Sequence, residues 1–114
     1  MVARRGYIPN RGDIVWLDFS PVRGHEQRGR RPALIISSRE YNASSGLTLA
    51  CPITSKIKGY PFEVSFKIKT VQGVILSDQI RGIDWAERNA EKIGMVSEAV
   101  VTEVQEHVKK LVLE

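Results

Sequence analysis

Asp13-Ile14-Val15-Trp16-Leu17-Asp18-Phe19 places five branched or aromatic apolar residues in seven consecutive positions. A short run of this composition, bounded by turn formers, reads as a β-strand. Four further stretches repeat the pattern, at residues 33–37, 47–53, 62–68 and 74–80, with Gly, Pro, Asn and Ser between them. Some alternate and some are continuously apolar, so five or more strands within about 80 residues point to a strongly curved sheet or small barrel. Lys58-Gly59-Tyr60-Pro61 reads as a turn leading into a strand, and residues 39–45 and 84–88 as short helical turns.

The C-terminal end changes period. Ser97 can cap a helix running to about residue 113, with Val101, Val104, Val108, Leu111 and Val112 at helical spacing. Glu98 early and Lys109 and Lys110 late suit the helix dipole. The expected class is therefore mainly β with α, an α+β chain whose last helix packs on the sheet.

With 114 residues, 42% of them hydrophobic, the chain can build one core, and it has no repeat or linker to divide it. One domain over residues 1–114 is expected. No stretch approaches the roughly 18 to 20 apolar residues of a membrane span, and residues 1–11 lack the apolar middle of a signal peptide. The expectation is a cytoplasmic protein with no membrane association. Cys51, the single cysteine, lies in an apolar run and reads as core. One thiol and two histidines make poor metal-site material, so neither metal nor cofactor is expected.

The chemistry concentrates in Gly24-His25-Glu26-Gln27-Arg28-Gly29-Arg30-Arg31-Pro32, a connection between two strands that holds an imidazole, a carboxylate and three guanidinium groups. Loops on a rigid scaffold often carry function. An arginine-rich turn can also be merely solvated, but the charge map argues for more. The first 39 residues carry +5 and the remaining 75 carry −1, and all eight bases of that first part are arginine. Arginine's planar fork matches phosphate oxygens, so a polyanionic partner follows.

Read in order, Gly12-Asp13-Ile14-Val15-Trp16, Gly24-His25-Glu26-Gln27 with Arg31-Pro32-Ala33, Pro52-Ile53-Thr54-Ser55, Gly59-Tyr60-Pro61-Phe62-Glu63 and Asp78-Gln79-Ile80-Arg81 resemble the MazF/PemK (Kid) toxins over nearly the whole chain. The resemblance implies a small SH3-like curved sheet or barrel with a C-terminal helix, CcdB/MazF/PemK-like, paired as a homodimer. It implies a toxin of a type II toxin–antitoxin system: an endoribonuclease cutting single-stranded RNA at short sequences. A cognate MazE-like antitoxin would hold it inactive through an acidic disordered tail. The family's reaction is metal-free. The ribose 2′-hydroxyl attacks the neighbouring phosphorus and leaves 2′,3′-cyclic phosphate and 5′-hydroxyl ends.

Such a reaction needs a base for the 2′-hydroxyl proton, an acid for the leaving 5′-oxygen and positive charge around the phosphorane. His25 matches the catalytic histidine of the PemK branch, and an imidazole with an ordinary pKa of about 6.5 works in either direction near neutrality. Glu26 matches the family's loop glutamate, as base or as the orienter of a guanidinium. Arg31 matches the catalytic arginine. A guanidinium is a poor proton donor and a good clamp, so phosphorane stabilisation is its expected part.

Thr54 matches the family's residue at the end of its strand, and Asp78 matches a carboxylate that the PemK branch uses in catalysis. That branch has an arginine two positions earlier, where this chain has Leu76. The departure shifts weight towards Arg31. Division of the proton transfers among His25, Glu26 and Asp78 stays open at this level. Gln27, Arg28, Arg30, Ser55, Lys56, Gln79 and Arg81 are the expected substrate-binding residues, with Lys58 extending the basic track. Tyr60, Phe62 and Trp85 are candidates for a face on which unpaired bases stack. Gly24 and Gly29 suggest that the loop over residues 20–32 orders around RNA.

Two other functional classes suit the same fold. A CcdB-like chain poisons gyrase without catalysis, but those chains end in Trp-Gly-Ile and this one ends Val112-Leu113-Glu114. An SH3-like RNA-binding module would grip phosphate without cutting it.

Overall fold

The computed structural model describes residues 6–18 and 29–114. The opening strand forms as expected: β1 spans Asp13–Asp18, followed by β2 (Arg30–Ile35), helix α1 (Arg39–Ser45) and β3 (Leu47–Thr54). Then come β4 (Glu63–Lys67), β5 (Gln72–Leu76), β6 (Arg81–Asp84), β7 (Glu91–Met95) and helix α2 (Glu98–Leu113). The strands run in the order β4-β5-β3-β2-β1-β7, with β6 also on β3, and every pairing is antiparallel. This is the curved sheet with a C-terminal helix that the sequence predicts.

The strand period of two explains why β1 and β2 read as continuously apolar. Ile14 and Leu34 enter one buried cluster with Cys51, Ile53, Val64, Phe66, Ile75 and Val104. Their neighbours Val15, Leu17, Ala33 and Ile35 enter a second, with Ala50 and Ile83. Successive side chains leave opposite faces of a strand, so a sheet with apolar material on both faces needs apolar residues at every position.

Ser97 caps α2 as expected, its Oγ accepting the Val100 N–H at 3.4 Å. Val101 and Val104 are buried against the sheet, but Leu111, Val112 and Leu113 are exposed, Val112 at 71%. The apolar stripe of α2 therefore outruns the sheet beneath it. Ser38 caps α1, and Gly46, at φ +78°, closes it in the left-handed conformation.

Three expectations are refined. The run 74–80 is not one strand: β5 stops at Leu76 and β6 starts at Arg81, leaving a short connection. Residues 84–88 form a turn, with the Arg88 N–H donating to Asp84 O at 2.9 Å, and Asn89 leaves it at φ +56°. β7, the edge strand Glu91-Lys92-Ile93-Gly94-Met95, was not foreseen, because among the described residues it pairs only with β1 and it buries no side chain fully. No described helix is long and apolar enough to cross a membrane.

Candidate active site

β3 organises the site. On one side its ladder with β2 pairs Ile35 with Ala50, Leu34 with Cys51 and Ala33 with Pro52. Two residues further along each strand, on the same face as Ala33 and Pro52, stand Arg31 and Thr54. Arg31 is exposed and faces Leu17 of β1 in register, while Thr54 is half-buried.

β5 and β6 follow one another antiparallel along β3, the first at Ile53 and Thr54, the second at residues 47–50. The residues joining them, 77–80, span the gap beside Cys51 and Pro52. Asp78 lies in this connection and is exposed. Electrostatics agrees with the placement: the Cys51 thiol is pushed up to about 12, first by burial and then by the negative charge of Asp78. Cys51 is a buried core thiol, as its apolar run predicts.

Arg31, Thr54 and the Asp78 turn thus converge around Pro52 from three different parts of the chain. Local contacts fix each part. The Thr54 Oγ1 accepts the Lys56 N–H at 3.1 Å, turning the chain out of β3 so that Ser55 and Lys56 are exposed beside it. Beyond them, the Glu63 carboxylate accepts the Lys58 N–H at 3.1 Å and the Gly59 N–H at 2.9 Å, with Gly59 at φ +83°. The Gln79 N–H donates to Leu76 O at 3.1 Å and closes the Asp78 turn.

Arg81 begins β6 opposite Ala50 and lines a polar pocket of about 360 Å³ with Gly82, Ile83 and Arg88. A guanidinium-lined pocket at the end of the Asp78 turn is suited to phosphate. Arg30, next to Arg31 but on the opposite face of β2, has a different part. Its guanidinium donates to Asp18 Oδ1 at 2.8 Å, to Glu91 Oε1 at 3.2 Å and to Asn89 O at 3.2 Å. Burial works against the charge on Asp18, but the Asn89 amide and Arg30 outweigh it and hold the carboxyl below its ordinary range. Arg30 anchors the start of β2, from which Arg31 projects.

His25, Glu26, Gln27 and Arg28 lie outside the described residues, whereas Arg30, Arg31 and Pro32, expected on the same loop, are corrected to β2, where they pair with Asp18, Leu17 and Trp16 of β1. Among the proposed stacking aromatics, Trp85 is corrected: it is 6% exposed and donates its Nε1–H to Asn42 O at 2.9 Å, so it belongs to the core. Phe62 is half-buried, whereas Tyr60 is 60% exposed.

Two contributors escaped sequence reasoning. Gly73 of β5 runs against the Thr54 backbone, where a Cβ would overlap the Thr54 carbonyl oxygen. An isolated glycine inside a strand signals such a close approach. Ser77, buried immediately before Asp78, hydrogen-bonds across to α2, a pairing over 30 positions that no local pattern reveals.

The chain as a whole is similar to known proteins. Residues 10–112 match the family described as PemK-like, MazF-like toxin of type II toxin–antitoxin system. The endoribonuclease toxin MazF of Escherichia coli strain K12 is 45% identical over 97 residues, covering 85% of this chain and 86% of that protein. The crystal structure of MazF from Deinococcus radiodurans superposes with a TM-score of 0.85 at 46% identity, over 95% of this chain and 99% of that one. A MazE–MazF crystal structure from the same organism superposes at 0.82 with 42% identity, over 92% and 95% of the two chains.

Proposed function

We infer that this chain, which belongs to the PemK-like, MazF-like toxin family of type II toxin–antitoxin systems, is an endoribonuclease toxin that cuts single-stranded RNA. It works in the cytoplasm as a homodimer, and a cognate MazE-like antitoxin neutralises it. The observation that carries the reading is the convergence of Arg31, Thr54 and the Asp78 turn around Pro52, beside the guanidinium-lined pocket of Arg81 and Arg88.

The reaction follows from these groups. RNA lies along the exposed track formed by Ser55, Lys56, Gln79 and Arg81, with Gln27 and Arg28 contributing from the loop. The 2′-oxygen attacks the adjacent phosphorus after losing its proton to one of the titratable groups His25, Glu26 or Asp78. A second of these protonates the 5′-oxygen as its bond to phosphorus breaks. Arg31, held by a strand whose first residue is tied to Asp18, meets the growing phosphorane charge with a fixed fork of donors. The Thr54 hydroxyl can donate to a non-bridging oxygen while it accepts the Lys56 N–H. Base, acid and fixed positive charge are all supplied by side chains, so the proposed cleavage needs no metal.

An antitoxin segment rich in carboxylates would follow the same basic track and compete with RNA for it. The arginine-dominated charge of the first 39 residues supports this.

The test is incubation of the purified protein with a long single-stranded RNA in excess EDTA, with fragment ends read by mass spectrometry. Cyclic phosphate and 5′-hydroxyl ends, absent with Arg31→Ala, are expected, and the fragments reveal the cut motif. RNA left intact across varied sequences would favour a gyrase poison or a non-cutting RNA binder instead.

A further inference from the structure

Phe62, Ser77 and His107 meet where the β4–β5 hairpin touches α2. The Ser77 Oγ lies 2.6 Å from Phe62 O and 3.0 Å from His107 Nδ1, and the Ser77 N–H donates to the same carbonyl at 3.1 Å. The His107 ring packs edge-on against Phe62, with centroids 5.9 Å apart and planes at 87°. Ser77 is fully buried and His107 half-buried.

Proton counting fixes the direction of the bonds. A carbonyl only accepts, so the single hydroxyl hydrogen of Ser77 is committed to Phe62 O. The hydroxyl then offers His107 only lone pairs, and the hydrogen between them must sit on Nδ1. A neutral His107 is therefore held as the Nδ1–H tautomer, with its ring orientation set by Ser77 on one side and Phe62 on the other.

We propose that His107, through the buried hydroxyl of Ser77, is a positioning residue for the turn that carries Asp78. This rests on the reading of Asp78 as part of the catalytic site. Asp78 itself is exposed, and within its turn the Gln79 N–H donates to Leu76 O. The chain enters that turn from Ser77, so the direction in which Asp78 leaves the sheet depends on how firmly Ser77 is seated. His107 seats it by joining the end of β5 to α2. A helix with no residue in the proposed site thereby helps set the site's geometry.

The tautomer is read first, in the unaltered protein, from the ring-nitrogen spectrum of ¹⁵N-labelled His107 at a pH where the ring is neutral. The Nδ1–H form is expected, and an Nε2–H form would overturn the assignment whatever the variants do. Kinetics then follow on an RNA oligonucleotide containing the cut motif. Ser77→Ala and His107→Ala should each lower kcat about tenfold, with KM within about twofold, since modest displacement of a reacting group costs rate rather than binding. The double variant should be no worse than either single one. His107→Asn, whose amide nitrogen can replace Nδ1 as donor, should recover most of the rate. Wild-type kcat in both alanine variants, beside an inactive Asp78→Asn, would overturn the clamp. So would losses that track thermal stability and resist rescue by asparagine. Full activity in Asp78→Asn would instead remove Asp78 from the catalytic site, a failure of the functional reading separate from that of the tautomer.

Discussion

Gly73 of β5 and Thr54 of β3 pass so closely that any side chain at residue 73 would overlap the Thr54 carbonyl oxygen. Gly73 also has φ +155°, outside the range that other residues adopt readily. The end of β3 turns towards the proposed site where this glycine lets β5 draw alongside. Gly73→Ala should therefore force β5 and β3 apart at Thr54 and Ser55 and shift both residues from their place in the proposed site. The expected outcome is a loss of about 1–3 kcal/mol in urea unfolding, typical of overpacking. Cleavage per folded molecule should fall by about tenfold or more. An alanine variant with unchanged rate would show that the position of Thr54 does not matter.

Arg31 stands on the face of β2 that it shares with Ala33, and its proposed part is electrostatic. Arg31→Ala should then lower kcat by about 10²- to 10³-fold, the usual cost of one oxyanion-stabilising donor. Arg31→Lys keeps the charge and loses the fork, so it should fall between alanine and wild type with an unchanged pH–rate profile. A lysine variant whose alkaline limb moves would make residue 31 the proton donor instead.

The pair Arg30–Asp18 should act on stability. Its 2.8 Å bond and the Asn89 amide hold the Asp18 carboxyl below its ordinary range. A carboxylate depressed in the folded state contributes stability above its unfolded pKa, about 3.9, and that contribution disappears as pH falls through the folded value. Asp18→Asn should cost about 1 kcal/mol near pH 7, since the pair is partly exposed. The gap to wild type should close at acid pH. A gap that stays constant from pH 7 to about pH 2 would contradict this account.

How far sequence alone reaches depends on how local the deciding interaction is. β1 and β3 are legible because apolar residues on both faces leave an unbroken run, and α2 because its cap and valine spacing agree. β7 is not, because an edge strand needs no apolar period and Glu91-Lys92-Ile93-Gly94-Met95 has none. Arg31, Thr54 and Asp78 stand out by residue type and by family resemblance. Their convergence does not, since it depends on the register of β2, β5 and β6 on β3. Trp85 illustrates the opposite error: an aromatic that suits base stacking lies in the core, because the Asn42 carbonyl accepts its indole N–H.

In the proposed reaction, side chains around Pro52 activate a ribose 2′-hydroxyl for attack on phosphorus. The most direct measurement uses two oligonucleotides with the cut motif, one all-ribose and one with a single 2′-deoxyribose on the 5′ side of the scissile phosphate. The deoxy substrate should compete for binding with similar affinity and never be cut. Cleavage of that oligonucleotide at the same bond, leaving a 5′-phosphate, would contradict the proposed reaction.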